Sequence, residues 1–213
     1  MAKITSRKLS AAIVFASLYI VLAFVPIGTT VIGGTSSFGL AIIVPPVVGW
    51  ILGPYYGALS MVISFAAGNF ISMTATFGFL SVLISTSGAF FAGLNKRGFP
   101  FITAIYLVFF SFFFCIIYPT AWWYILPHIV ASCCAVLILF FKKSSRLSVF
   151  FSTLSSTFAQ QATGTFLSIF MLSLTSGEWY VIFPLTIYER TIASVGALLV
   201  ILAIEKRVKT FLT

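Results

Sequence analysis

The chain has 213 residues, 61% hydrophobic and 7% charged, with a mean hydropathy of +1.17. A soluble domain carries about 25% charged residues, so these few cannot cover a water-exposed surface. The composition predicts an all-α, polytopic integral membrane protein, one transmembrane domain over 1–213. The formal charge of +9 comes from twelve basic and three acidic residues. Its bases lie in short clusters between apolar runs, which is a topology signal. With no basic stripe or stacking platform, nucleic acid is excluded as a partner and membrane lipid is the expected surrounding.

A hydrocarbon core of about 30 Å needs about 20 apolar residues per helix. Eight segments qualify: 9–27, 38–53, 55–75, 78–94, 100–118, 121–141, 147–174 and 179–204. The first follows a basic start and resembles a signal peptide. Its apolar run is too long for an h-region and no small-x-small cleavage site follows, so it reads as a retained helix. Ala12 and Ala16 form a small-x-x-x-small pair on it, a spacing that lets backbones approach closely. The loop GTTVIGGTSSFG, 28–39, reads as a flexible external connection or a lid; it lacks the G-x-G-x-x-G spacing of a dinucleotide site. Gly49, Gly53 and Gly57 repeat at four-residue intervals around the turn after the second segment.

With eight helices, Lys3, Arg7 and Lys8, then Lys96 and Arg97, then Lys142, Lys143 and Arg146, and finally Lys206, Arg207 and Lys209 fall on one side. The positive-inside rule makes that side the cytoplasm of a multi-pass cell-membrane protein, with both termini inside. Arg190 alone breaks the pattern. At the opposite ends, Trp122, Trp123, Trp179 and Tyr180 sit where an interfacial aromatic belt belongs.

The chemical inventory is short. There is no Asp, one His and three Glu; the three Cys lie within apolar runs and lack metal-ligand spacing. The reading is no metal, no cofactor and no enzyme, since little remains for acid–base or triad chemistry. His128 reads as a hydrogen-bonded structural histidine. No G-x-x-x-x-G-K-[ST] loop is present, so any ATP use belongs to a separate chain. Polar residues at membrane depth are costly and face a cavity or another helix. They are Asn69, Gln160, Gln161, Glu189 and Arg190, which are the candidate substrate-binding residues; a polar clamp between the last two helices explains them equally well. Neighbours on a helix do not face each other, so Glu189 and Arg190 are each expected to have another partner.

The stretch LGPYYGALSMVISFAAGNFIS, 52–72, resembles the substrate-binding S components of energy-coupling factor (ECF) transporters. The family's Gly-Pro-x-x-Gly-Ala turn is matched by Gly53, Pro54, Gly57 and Ala58, and its A-x-x-x-A motif by Ala12 and Ala16. GAFFAGLNKRG, 88–98, resembles the close of its fourth helix, and FPLTIYERTIASVGALLVILAIEKR its last helix. The resemblance implies a subunit that captures a vitamin-like molecule outside and associates with a transmembrane coupling subunit and ATPase subunits. It also implies that Ala12 and Ala16 form the partner interface. The family has six helices, so 100–141 reads as an additional hairpin. The alternative reading is an accessory subunit of a larger membrane assembly, such as a respiratory complex, for which the 25 Phe would supply partner-facing surface.

Overall fold

The computed structural model describes residues 6–30, 37–70, 77–142 and 145–212. Eight α-helices occur among them: α1 (Ser6–Ala23), α2 (Val44–Leu52), α3 (Pro54–Phe70), α4 (Ser81–Arg97), α5 (Pro100–Ile117), α6 (Leu126–Leu137), α7 (Arg146–Met171) and α8 (Glu178–Leu212). Among the described residues, five helical segments are long and apolar enough to cross a membrane: Ser6–Ala23, Gly78–Arg97, Pro100–Ile117, Pro119–Phe140 and Glu178–Glu205. The segment 28–39 contains most of a short antiparallel ribbon, β1 (Pro26–Thr30) with β2 (Ser37–Gly39). Residues 31–36 lie outside the described residues, and so does the expected lid.

Proline and glycine set the helix ends. Pro45 and Pro46 occupy the first turn of α2, where a missing N–H costs nothing. Gly53 ends α2 at φ +87, a left-handed conformation open to glycine, and Pro54 begins α3 at once. Gly98 repeats the device at φ +96 before Pro100 opens α5. The segment expected as one helix over 121–141 is a 3-10 run at 119–125, then α6, then a 3-10 turn at 138–140. Pro119 and Pro127 each sit in the first turn of a new segment, so the chain restarts rather than continuing. The last helix outruns its predicted end at 204 because nothing in EKRVKTFL stops it.

Close backbone approach organises the first half. A Cβ on Gly49 would stand 1.9 Å from the Ala89 carbonyl oxygen of α4, and one on Gly93 2.3 Å from the Pro54 nitrogen. This is the small-residue packing expected of the Gly49–Gly53–Gly57 series. It sinks α2 between α3, α4 and α8, with Val44 to Trp50 buried. Ala12 and Ala16 are likewise covered by the chain itself, and Ser60 of α3 donates to the Ala12 carbonyl at 2.7 Å. The interface expected of these two alanines is therefore internal, between α1 and α3, and not a free surface for a coupling subunit.

The charged end of the bundle has its own ties. Trp50 donates to Glu205 Oε1 at 3.1 Å, and Lys96 Nζ stands 3.4 Å from the same oxygen and 5.3 Å from the Trp50 ring centroid. Lys8 lies over Tyr56 and Arg97 over Tyr55. The start of α1, the α2–α3 turn, the end of α4 and the last turns of α8 thus share one end, as the basic clusters predict. Trp50 is wholly buried, and a buried hydrogen bond to a charged group contributes about 1.5–3 kcal/mol. We expect Trp50→Phe to lower unfolding stability by that amount in a denaturant titration of the detergent-solubilised protein.

Residues 100–141 are not an appendage. Phe110 and Phe114 of α5, with Tyr124 and Ala131 beyond it, belong to one buried cluster with Phe91, Leu94, Phe158, Ala159 and Trp179 from α4, α7 and α8.

Candidate functional site

The site is built around α7, RLSVFFSTLSSTFAQQATGTFLSIFM, the most polar long helix of the chain and one that packs on α4, α5, α6 and α8. Most of its hydroxyls satisfy themselves. Thr153 donates to the Phe150 carbonyl at 2.9 Å, Ser155 to Phe151 at 2.8 Å, Thr163 to Ala159 at 3.0 Å and Ser168 to Gly164 at 3.0 Å. Serine and threonine bond back onto their own helix in this way, so they can be buried without a partner elsewhere. Two of the same hydroxyls also tie α7 to its neighbours. Ser155 accepts from Asn95 of α4 at 3.0 Å, and Thr163 meets Ser87 at 2.9 Å and Tyr106 at 2.8 Å.

One stripe of α7, Thr157, Gln161 and Thr165, faces the α6–α8 side in layers about 6 Å apart, one per turn. In the deepest layer the Thr157 carbonyl accepts from Arg190 Nη1 at 3.3 Å, and its hydroxyl lies 2.9 Å from Ser194 Oγ. In the middle layer Gln161 Nε2 stands 3.4 Å from both Tyr124 Oη and Thr186 Oγ1. In the outer layer Thr165 Oγ1 is 3.1 Å from Tyr124 Oη.

Arg190 and Glu189 are 3% and 4% exposed, and Arg190 Nη2 is paired with Glu189 Oε1. This corrects the expectation that adjacent residues would seek separate partners. Both side chains are long enough to curl around the helix and meet, and at this depth an unpaired charge would be far costlier than the bent geometry. Arg190 is twelve residues from the start of α8, about 18 Å along it, near the middle of the apolar stretch Glu178–Glu205.

Above this layer the walls are aromatic. Trp179 is 1% exposed, 4.8 Å from Tyr124, 5.0 Å from Phe114 and 5.4 Å from Tyr118 between ring centroids. Trp123 stacks near Tyr180 at 4.4 Å and meets Phe183 edge-on at 5.1 Å. Trp122 and Tyr180 are exposed, as an interfacial belt requires, but Trp179 is core and Trp123 is half-buried. Tyr118 closes the α7–α8 connection by donating to the Leu174 carbonyl at 2.9 Å. His128 lies among Phe110, Tyr124 and Phe158 at 4.7, 5.5 and 5.3 Å. The Tyr124 carbonyl one turn back is within hydrogen-bonding reach of its ring, in line with a structural histidine, although neither ring nitrogen makes a well-aligned bond among the described residues.

Several buried polar atoms here have no hydrogen-bond partner among the described residues: Trp123 Nε1, Trp179 Nε1, Gln160 Oε1 and Arg190 Nε, besides His128. Buried polar atoms are nearly always paired; these are not, and neither are Thr86 Oγ1, Ser148 Oγ and Ser152 Oγ elsewhere in the bundle.

Of the predicted site residues, Gln161, Glu189 and Arg190 come together on the α7–α8 seam. Gln160 turns the other way, towards α4, where a Cβ on Gly88 would stand 2.9 Å from its Oε1. Asn69 lies in the last turn of α3, and its side chain is outside the described residues. Sequence reasoning passed over Tyr124, Thr157, Thr186 and Ser194. The four-residue spacing of Thr157, Gln161 and Thr165 was the available signal for the α7 face. Comparison with known proteins finds no matching family model, no matching characterised protein and no matching solved structure.

Proposed function

We propose that the chain is a membrane-embedded substrate-binding subunit of an uptake transporter of ECF type, energised by separate ATPase subunits and not itself an enzyme. The observation that carries the reading is the set of unpaired buried polar atoms within the aromatic layer and below it, at Trp123, Trp179, His128 and Arg190. A small-molecule site is an apolar enclosure with a few convergent polar groups, and these residues have that character. The proposal places both termini and the Lys96–Glu205 end in the cytoplasm of the cell membrane. All eight helices would lie in the bilayer, the eight arising from a six-helix core with α5 and α6 added, and the aromatic layer would face outside. The implied partners are a transmembrane coupling subunit and ATPase subunits; the covered Ala12 and Ala16 leave that contact to other parts of the chain.

The test is mass spectrometry of small molecules released from the purified, detergent-solubilised protein. The expected result is a stoichiometric vitamin-like compound that raises the Tm when added back, as any ligand of the native state must. Recovery of lipid alone, with protein subunits carried through purification, would replace this reading with that of an accessory subunit. Exposed Phe101, Phe109 and Phe112 on α5 would then be part of the partner-facing surface.

A further inference from the structure

We infer that Arg190 anchors the carboxylate of a small planar aromatic monoanion, which it takes up in place of Glu189. The inference rests on the substrate-binding reading above and names the class of ligand. A guanidinium presents five N–H donors in a planar fork. Here Nη2 is given to Glu189 and Nη1 to a backbone carbonyl, while Nε has no partner although the side chain is 3% exposed. A carboxylate bound through Nε and an adjacent Nη forms two parallel charge-assisted bonds, the arrangement arginine favours. Glu189 engages one nitrogen only, so an incoming carboxylate offers Arg190 the better fit; the ligand enters as its neutral acid and passes its proton to the released Glu189 carboxylate, so that no second bare charge is left buried.

The rest of the ligand is read from the layers above. Gln161, Thr186 and Tyr124 supply one uncharged polar layer about one turn outward of Arg190. Beyond it stand Trp179, Trp123, Phe183 and Tyr124, all within 6.4 Å of a neighbouring ring. Flat rings pack on such walls edge-on or offset. The buried, unpaired indole N–H groups of Trp123 and Trp179 fit acceptor atoms on a heteroaromatic rim. The described residues of these layers carry no cation besides Arg190 and no acid besides Glu189, which suits a ligand of a single negative charge and disfavours a phosphate.

Benzoate and its neutral counterpart benzamide are the probes, added to the detergent-solubilised full chain, with binding followed by Tm and by calorimetry. Benzoate is expected to raise the Tm and benzamide to leave it unchanged. Glu189→Gln removes the internal competitor and is expected to bind benzoate at least about tenfold more tightly, the scale of one hydrogen bond to a charged group. A pair serving only to clamp helices would give no benzoate effect in the wild type. Arg190→Gln is expected to abolish benzoate binding; if that variant does not fold, the double variant Glu189→Gln/Arg190→Gln, with both charges removed, takes its place. Equal shifts from benzoate and benzamide, or weaker benzoate binding by Glu189→Gln, overturn the inference. A neutral compound that co-purifies stoichiometrically and is retained without Arg190 also overturns it while leaving the binding-subunit reading intact. Absence of any co-purifying small molecule, with no benzoate effect in either protein, removes both.

Discussion

Replacing Arg190 alone by Gln destabilises the protein by about 3–5 kcal/mol, the cost of leaving one member of a buried ion pair uncompensated. Replacing Glu189 and Arg190 together by Gln costs much less than the sum of the two single changes. The reason lies in the environment. Glu189 is 4% exposed, and its one described ionic partner is Arg190. Without the guanidinium the carboxylate is left buried with no described ionic partner. The amide pair keeps shape and hydrogen-bonding capacity but removes both desolvated charges. A double-mutant cycle measured by denaturant unfolding in detergent micelles checks this. Additive single and double effects would show that the two residues do not depend on each other, and would remove the pair from any account of the site. Together with the benzoate titration, the cycle separates the stability role of the pair from its ligand role.

Gly49→Val prevents accumulation of folded protein, and Gly49→Ala costs at least the roughly 1–3 kcal/mol typical of overpacking. The contact involved is with backbone: the added Cβ would stand 1.9 Å from the Ala89 carbonyl oxygen. No side chain can swing aside to relieve it, so α2 and α4 must separate. Separation also disturbs Gly57, whose own Cβ would lie 2.9 Å from the Gly49 Cα. Gly164 of α7 is the matched control. A Cβ there would meet Ile84 Cδ1 at 3.5 Å, an ordinary contact, and alanine is the better helix former by about 1 kcal/mol. Gly164→Ala is therefore expected to be neutral or stabilising. Fluorescence-detected gel filtration of the variants, followed by thermal unfolding, reads both outcomes. Loss of the monodisperse peak for Gly164→Ala with retention for Gly49→Val would refute the assigned packing.

The order of the helices was legible because apolar runs and their Pro and Gly interruptions are local features. Gly53-Pro54 and Gly98 through Pro100 mark real ends for the same reason: backbone conformation depends on the residue itself and its neighbours. The interior was legible only in part. Gln161 and Arg190 stood out because polarity at membrane depth is conspicuous in any apolar run. Trp179 was misread because a tryptophan at a helix end looks the same whether it faces lipid headgroups or the Phe114–Tyr118–Tyr124 cluster. Only the neighbouring helices decide between the two. Ala12 and Ala16 show the same limit. Their spacing reports that a backbone comes close, and α3 is what comes close. The Glu189–Arg190 pairing escaped the helical-wheel argument because that argument places Cβ atoms, whereas two long side chains act through their ends.

The polar character of α7 bears on how the protein is made. This helix of 26 residues is not among the five long and apolar enough to cross a membrane. Most of its serines and threonines, and Gln160, are buried against helices on several sides, and a segment of that kind partitions poorly into lipid by itself. During synthesis α7 leaves the ribosome after α1 to α6 and before α8. On the proposal that all eight helices lie in the bilayer, its stable residence there depends on the earlier helices offering a groove and on α8 arriving to close it. Integration of the last third of the chain becomes a cooperative event, in which α7 behaves less as an autonomous anchor than as a guest received by the rest.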